Sequence, residues 1–227
     1  PTGNWTAYVI KTGGSTDLNQ TREHNKANET TKLDDATTYV AYNAVGNMTK
    51  TPKPSAWNQA FDLKYDAWNR LVKVEDGGTT VAVYKYDGLN RRGVKETYAG
   101  GSLDKTRHYY YSDRWQVLEE RVDSSSNAER QYVWGLRHWD DLVLRDCDSD
   151  GNGTLDDRRY AVGDVFSVTG TVDTSGNVQE RYGYEAYGAM RVMNASFQTS
   201  SSTCATSQVS YAGYAADWET GFYQVRN

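Results

Sequence analysis

The stretch Asp146-Cys147-Asp148-Ser149-Asp150-Gly151-Asn152-Gly153-Thr154-Leu155-Asp156-Asp157 is the part of the sequence best equipped for chemistry. Oxygen donors stand at loop positions one, three, five and twelve, with glycine at six. A hard Ca²⁺ ion takes about six to eight oxygens, and this alternation aims Asp146, Asp148 and Asp150 inward while Gly151 permits the sharp turn. Asn152 offers its backbone carbonyl, Thr154 acts directly or through water, and Asp157 closes the loop. Gly153 replaces the usual apolar residue, and Asp157 is one carbon shorter than the usual Glu. The flanks Leu142-Val143-Leu144 and Tyr160-Ala161-Val162 read as strands. The expectation is a structural calcium hairpin with Asp146, Asp148, Asp150, Asn152 and Asp157 as ligands, not a helix–loop–helix sensor. The competing reading is a solvated acidic turn.

Catalytic signals are thin. The histidines are His24, His108 and His138, and none sits in a His-Glu-x-x-His pair or a metal-spaced Cys/His cluster. There is no Gly-x-Ser-x-Gly elbow. His138-Trp139-Asp140-Asp141 puts carboxylates beside an imidazole, but neighbouring strand residues point to opposite faces. Glycosidase-like carboxylate pairs carry no signal, because 30 acidic residues always offer some pair. Cys147 lies inside the acidic loop, which disfavours a thiolate. Cys147 and Cys204 form one disulfide in an oxidising compartment or remain two thiols in a reducing one. No enzymatic activity is expected.

Six Asn-x-Ser/Thr sequons, at Asn4, Asn19, Asn28, Asn47, Asn152 and Asn194, exceed the roughly two expected by chance for so loose a motif. They suggest an exported, glycosylated surface; the alternative is that Asn and Thr are simply turn and strand residues. Tyr109-Tyr110-Tyr111, Trp68, Trp115, Trp134 and Trp139 are candidate stacking platforms for glycans. At repeat spacing, cross-strand packing is the favoured reading.

These groups need a scaffold, and composition narrows it. The chain has 227 residues, enough for one β-rich domain or two small ones. Mean hydropathy is −0.81 and no apolar run approaches the ~18 residues of a membrane span. The net charge of −5 leaves no electrostatic footprint for nucleic acid. Aromatic content of 13% argues against full disorder. The first residue is Pro1, so either a leader has been removed or the chain is a piece of something longer.

Self-similarity dominates the organisation. Tyr42-Asn43-Ala44-Val45-Gly46-Asn47-Met48, Tyr65-Asp66-Ala67-Trp68-Asn69-Arg70-Leu71 and Tyr86-Asp87-Gly88-Leu89-Asn90-Arg91-Arg92 are copies of one unit, with looser copies at Tyr111, Tyr132 and Tyr160. Each unit reads as strand, turn, strand. Phe61, Leu63 and Tyr65 alternate with polar neighbours, Val72 and Val74 follow the turn, and Asp76-Gly77-Gly78 leads to Val81 and Val83. The tyrosine lays its ring on the sheet at the turn's start. The following Asp or Asn bonds the backbone two residues on, and a later Asn or Gly takes positive φ. Asp173-Thr174-Ser175-Gly176-Asn177 is a further turn, between strands Ser167–Val172 and Val178–Tyr184. No stretch has sustained helical periodicity with caps. The fold class is all-β, made of antiparallel β-hairpin repeats.

The Tyr-Asp-x-x-Asn-Arg units resemble the YD repeats of rearrangement hotspot (RHS) proteins. The tail Tyr211-Ala212-Gly213-Tyr214, then Asp217-Trp218-Glu219-Thr220-Gly221-Phe222-Tyr223 and Val225-Arg226, resembles the opening of the RHS-associated core motif. The resemblance implies a YD-repeat β-sheet spiral or solenoid-like segment, which in many members forms a hollow shell around a toxic C-terminal domain released by self-cleavage. Teneurin ectodomains use a similar spiral for adhesion. The family's self-cleavage aspartates fall beyond Asn227, so no autoprotease residue carries over, and the few repeats here are too few to enclose cargo unaided.

The expected domains are residues 1–40, an N-terminal arm or first strands, and residues 41–227, a YD-repeat β-sheet module ending in the partial core motif; Lys11–Ala36 reads as a loop or loosely ordered arm, or equally as the segment that reaches a neighbour, with Trp5, Tyr8 and Ile10 in the strand that docks. The expected function is non-enzymatic and structural: an extracellular or cell-surface module, stiffened by calcium, that self-associates into a fibre or shell. Its partners are itself or neighbouring parts of its parent chain, joined by strand addition at open edges. The alternatives are a wall segment of a toxin-encapsulating shell and a carbohydrate-binding module.

Overall fold

In the computed structural model, residues 4–54, 56–164, 166–185, 188–201 and 208–225 are described. They are almost wholly antiparallel β, with a single 3₁₀ turn at Tyr211–Gly213 and no α-helix among the described residues. The first eight strands are β1 (Ala7–Thr12), β2 (Ser15–His24), β3 (Thr30–Leu33), β4 (Ala41–Tyr42), β5 (Met48–Lys53), β6 (Ala56–Tyr65), β7 (Leu71–Asp76) and β8 (Thr79–Tyr86). There follow β9 (Arg92–Ala99), β10 (Ser102–Tyr111), β11 (Val117–Val122), β12 (Ala128–Trp134), β13 (Leu142–Cys147) and β14 (Asp157–Asp164). The last are β15 (Ser167–Val172), β16 (Val178–Tyr184), β17 (Met190–Met193), β18 (Ala215–Asp217) and β19 (Phe222–Gln224). Strand order is sequence order throughout: a three-stranded sheet β1–β3, a 14-stranded sheet β4–β17, and the β18–β19 hairpin. Only short connections are needed, so hairpin chemistry decides the architecture.

That chemistry repeats. In the unit at Asp66, the backbone N–H of Asp66 donates to Arg70 O, that of Asn69 donates to Asp66 O, and Asn69 has φ 62°. This is a three-residue loop closed by a left-handed residue, a standard short hairpin connection. Asp66 Oδ1 accepts from the N–H groups of Trp68 (2.9 Å) and Arg70 (3.0 Å), and Oδ2 accepts from Arg70 Nε (2.7 Å). Asp87 does the same for Leu89, Arg91 and the Arg91 guanidinium. The Asn43, Asp173 and Asn194 side chains cap their turns identically, and Ser112 does so through its hydroxyl. The sequence anticipated the bond two residues on; the second bond, four residues on, is the addition. Asn69→Val is expected to destabilise this hairpin by about 1–2 kcal/mol, because a β-branched residue resists the left-handed region, whereas Asn69→Gly should be near neutral. Thermal unfolding of the two variants checks this.

The aromatic residue that precedes each turn ties one hairpin to the last. Tyr65 OH donates to Met48 O (2.9 Å), Tyr111 OH to Arg92 O (3.0 Å), and Tyr184 OH to Val168 O. Trp134 Nε1 takes the same part against Val117 O (2.8 Å). Tyr132 and Tyr160, expected to begin turns, instead lie inside β12 and β14. Tyr132 is buried, and in its hairpin Trp134 stands where the tyrosine was expected.

The chain divides into two compact units: residues 1–84 with 98–102, and residues 85–97 with 103–227. In the first, the apolar face gathers Phe61, Leu63, Val74, Ala82 and Tyr84, with Val74 fully buried. Leu63 lies opposite Val74 and Val74 opposite Ala82, so these side chains stack across three strands. A bulge between Val74 and Glu75 turns Ala82 and Tyr84, not Val81 and Val83, into the core. Lys11–Ala36, expected as a loop, contains β2 and β3. Its Leu18, Gln20, Arg22 and His24 are the less exposed positions of an alternating strand, and β-branched Thr16, Thr21, Thr30 and Thr31 suit extended backbone. In the second unit the core is Tyr132, Leu142, Val168, Tyr182, Val192 and Val209.

Candidate functional site

The second unit carries a face that simple hydrophobic-in, polar-out alternation would not predict. Side chains alternate along a strand, so residues in direct cross-strand register share a face. Tyr109 lies opposite Glu120, Glu120 opposite Arg130, Arg130 opposite Cys147, and Cys147 opposite Asp157. Tyr132 lies opposite Arg145. Glu120, Arg130 and Arg145 are all buried. Burial of a charge is tolerated only when it is paired and hydrogen-bonded, and here the partners are present. Arg130 Nη1 donates to Glu120 Oε2 (3.0 Å) and Glu129 Oε2 (2.6 Å), and Tyr132 OH donates to Glu120 Oε1 (2.7 Å). Arg107 reaches Glu129 at 3.2 Å, and Arg145 reaches Asp157 at 3.1 Å. Burial alone would raise the Glu120 carboxyl, but the Arg130 guanidinium, the Tyr132 hydroxyl and Arg107 hold it below its usual range.

At one side of this face the C-terminal hairpin is seated. Asp217, at the end of β18, is 3% exposed. It accepts two bonds from the Arg92 guanidinium (Nη1 2.5 Å, Nη2 3.0 Å) and a third from Lys95 Nζ (2.8 Å). Lys95 also pairs with Glu219 at 3.1 Å. Burial would raise Asp217, yet the two cations hold its pKa below the ordinary value. Burial would lower Lys95, and Tyr109, Asp217 and Glu219 together reverse that and raise it. The Tyr111 hydroxyl is pushed up to about 12 by burial.

The tail motif places these groups. Thr220 and Gly221 N–H groups both donate to Asp217 O, closing the turn between β18 and β19. Val168 N–H donates to Ser210 O (3.1 Å), Ala212 N–H to Ser167 Oγ (3.0 Å), and Tyr223 OH to Gly188 O (2.8 Å). Val209 and Trp218 pack on the apolar core. Gly213 is required by its surroundings: at φ 71° an added Cβ would come within 2.4 Å of the Asp140 side chain. What the arrangement does chemically is hold a hairpin in register through compensated charge. Sequence reasoning singled out this tail but not Arg92 and Lys95, more than 120 residues away in sequence.

The predicted calcium ligands occupy one hairpin connection without converging. Asp146 is paired with Arg158 (2.7 Å), and Asp157 with Arg145 and Arg159. Asp148 accepts from the N–H groups of Gly151, Asn152 and Gly153, and Asp150 from Asn152. Among the described residues no three acidic, histidine or cysteine side chains gather as a metal site. As arranged, the donors are turned to arginines and loop amides, so calcium would have to displace Arg158 from Asp146 and Arg145 and Arg159 from Asp157.

Of the sequons, Asn19 on β2 and Asn28 and Asn152 at turns are exposed, while Asn4, Asn47 and Asn194 are partly covered. Asn47 Nδ2 donates to Asn69 Oδ1 (2.8 Å), and Asn194 is a turn cap. Cys204 lies outside the described residues, and with it the disulfide. His138 is 4.0 Å from Asp141, whose carboxylate is already engaged by Arg137 and held below its usual pKa by that bond. Tyr111, Trp115, Trp134 and Trp139 line a cleft of about 50 Å³ with Val117 and Val209. That is far below the roughly 300 Å³ of a typical small-molecule pocket. Trp68 sits at a hairpin tip, 73% exposed, with the Arg70 guanidinium 5.2 Å from its ring. No helix of the described residues is long and apolar enough to cross a membrane.

No curated protein matches this sequence. The RHS Repeat family matches residues 65–103. The fold is similar to the crystal structure of TcdB2-TccC3-Cdc42, with a TM-score of 0.57 and 14% identity over 96% of this chain and 11% of that one. It is also similar to that of TcdB2-TccC3-TEV, with a TM-score of 0.51 and 16% identity over 91% of this chain and 11% of that one. The chain thus spans about one-ninth of the length of these proteins, and at such identity the likeness is one of fold. Residues 65–103, the stretch that holds the Asp87 turn and its clamping arginine, are therefore an RHS repeat, in a chain with the fold of a stretch of the TcdB2-TccC3 structures.

Proposed function

We propose that the chain is a non-catalytic wall segment of an RHS-type shell, whose neighbours in the wall are further hairpins of the same parent protein. The observation that carries this is the bolt between successive hairpins: Tyr65, Tyr111, Trp134 and Tyr184 each donate to a backbone carbonyl 16 to 19 residues upstream. Such a device specifies neighbour-to-neighbour order and nothing at the surface, as expected of a wall. The compensated charges under the C-terminal hairpin suit the same role, since charges buried opposite their counter-charges favour one register over others. On this reading the parent is exported. Negative-stain imaging of native material is the test: closed hollow particles are expected, built from a chain several times longer than this one. Dispersed small particles of this chain alone, or hydrolase activity, would overturn it.

A second reading, a surface fibre grown by strand addition, is favoured by β1, which ends its sheet with no partner on its outer edge among the described residues. Calcium stiffening belongs to this reading. Calorimetry tests it: calcium binding at or below about 1 mM that Asp148→Ala abolishes would support a structural site, and no binding at millimolar concentration would reject it. A glycan-binding role rests on exposed Trp68 and Trp139, and glycosylation on Asn19 and Asn28; glycan arrays and intact mass test them.

A further inference from the structure

In four of the hairpin turns the left-handed residue is Gly46, Asn69, Asn90 or Gly176, types that accept positive φ at little cost. The turn that begins at Ser112 puts Trp115 there instead, at φ 63°, where a bulky side chain is strained. Such strain persists only where the surroundings hold it, and it marks sites of use. Trp115 lines the cleft of about 50 Å³ together with Tyr111, Val117, Trp134 and Trp139. Asp140 supplies a carboxylate to the same lining, its side chain packed against Gly213.

Other aromatic rings at or beside these turns are matched with cations of the chain itself. A guanidinium stands 5.2 Å from Trp68 (Arg70), 4.2 Å from Phe197 (Arg181), 5.3 Å from Tyr111 (Arg91) and 6.0 Å from Trp139 (Arg114). Among the described residues no cation of the chain stands over Trp115 or Trp134. The polar groups of the cleft are already used by the fold. Trp134 Nε1 donates to Val117 O (2.8 Å), Gln116 Nε2 to Trp139 O (2.9 Å) and Tyr111 OH to Arg92 O (3.0 Å). Ring surface and a carboxylate remain. They offer little to sugar hydroxyls and repel an anion, but they suit a cation wrapped in methyl groups, which has little hydration to lose.

We propose that this cleft binds a trimethylammonium headgroup, with the indoles of Trp115 and Trp134 as its cation partners and Asp140 as its counter-charge. Size agrees with that occupant. One water-sized atom needs about 10–15 Å³, so 50 Å³ admits roughly four, the nitrogen and its three methyls. The rest of such a ligand stays outside the cleft, which explains why the cavity is far smaller than a whole-ligand pocket. All the lining residues belong to the second compact unit, and the site is independent of the wall reading.

Calorimetric titration of the 227-residue chain with choline chloride, against sodium chloride at equal ionic strength, tests it. The expected dissociation constant is about 1 mM or tighter. Dimethylbutanol, the neutral carbon isostere of choline, should bind at least tenfold more weakly, because it fills the same volume without the charge. Trp115→Asn should weaken choline binding at least tenfold. Asparagine is the residue of the sister turns at this φ, so the variant should keep its circular dichroism and unfold at no lower temperature. Trp68→Ala, at another hairpin tip, should leave choline binding unchanged. No binding up to about 20 mM choline, equal binding of the neutral isostere, or full binding by Trp115→Asn would overturn the proposal. Phosphatidylcholine vesicles, compared with phosphatidylglycerol vesicles, distinguish the source. Co-sedimentation lost in Trp115→Asn assigns the headgroup to a lipid, and choline binding without co-sedimentation assigns it to a soluble ligand. None of these outcomes bears on the hollow-particle test of the wall reading.

Discussion

Asp217→Ala is expected to cost about 3–5 kcal/mol, because it leaves the Arg92 and Lys95 cations buried without their carboxylate. The loss should be local first. Amide hydrogen exchange at Thr220 and Gly221, whose N–H groups close the turn on Asp217 O, should accelerate far more than exchange in β6 or β7. A loss below about 1 kcal/mol would mean that the charges are solvated and that packing of Val209 and Trp218 seats the hairpin. The same carboxylate sets a pH dependence. Its folded pKa lies below the ordinary 3.8, so its contribution is complete above that value and is lost as pH falls through the folded one. Asp217→Asn should flatten this acid limb. Lys95 behaves oppositely: with its pKa raised above 10.5, its contribution persists at neutral pH and disappears only in strong alkali.

Phe61→Ala is the second large effect, in the other unit, at about 3–5 kcal/mol. The ring is 6% exposed, lies opposite Thr51 on β5 and Asp76 on β7, and has the Lys53 ammonium 5.4 Å from its centroid. Its removal opens a cavity beside Leu63 and Val74 that a sheet bonded on both edges cannot close by collapse. Trp68→Ala, a larger deletion by volume, should cost under about 0.5 kcal/mol because that indole is mostly in solvent. Thermal unfolding of the pair separates burial from size, and equal shifts would contradict the assignment of Phe61 to the core. The two compact units make a single two-state fit unsafe, so probes should be assigned unit by unit.

The hairpins were legible because their determinants are close in sequence. Asp66 and Asn69 specify their turn through bonds spanning at most four residues, and Ser167–Val172 and Val178–Tyr184 form strands with the bounds that alternation around Asp173–Asn177 indicated. The limits show where locality ends. Tyr132 resembles the repeat's opening tyrosine, yet its hydroxyl is bound to Glu120 inside a strand, because Trp134 is the aromatic next to that connection. Lys11–Ala36 looked like a polar loop because its strands bury only one half-apolar face, so composition gave no contrast. At the acidic loop, arginines on β13 and β14 pair with Asp146 and Asp157, partners that the loop's own spacing does not reveal.

Periodicity, turn residues and capping side chains by themselves determined the β class, the antiparallel hairpins and their order, since each is decided by interactions within a few residues. Only the tertiary structure decided which charges are inside. Glu120, Arg130 and Arg145 are of types seldom buried unless paired, and their partners lie across strands, while Asp217 meets Arg92 across more than 120 residues of chain. A buried charge is stable only with its counter-charge in place, and the identity of that partner is a property of the folded sheet, not of any local stretch.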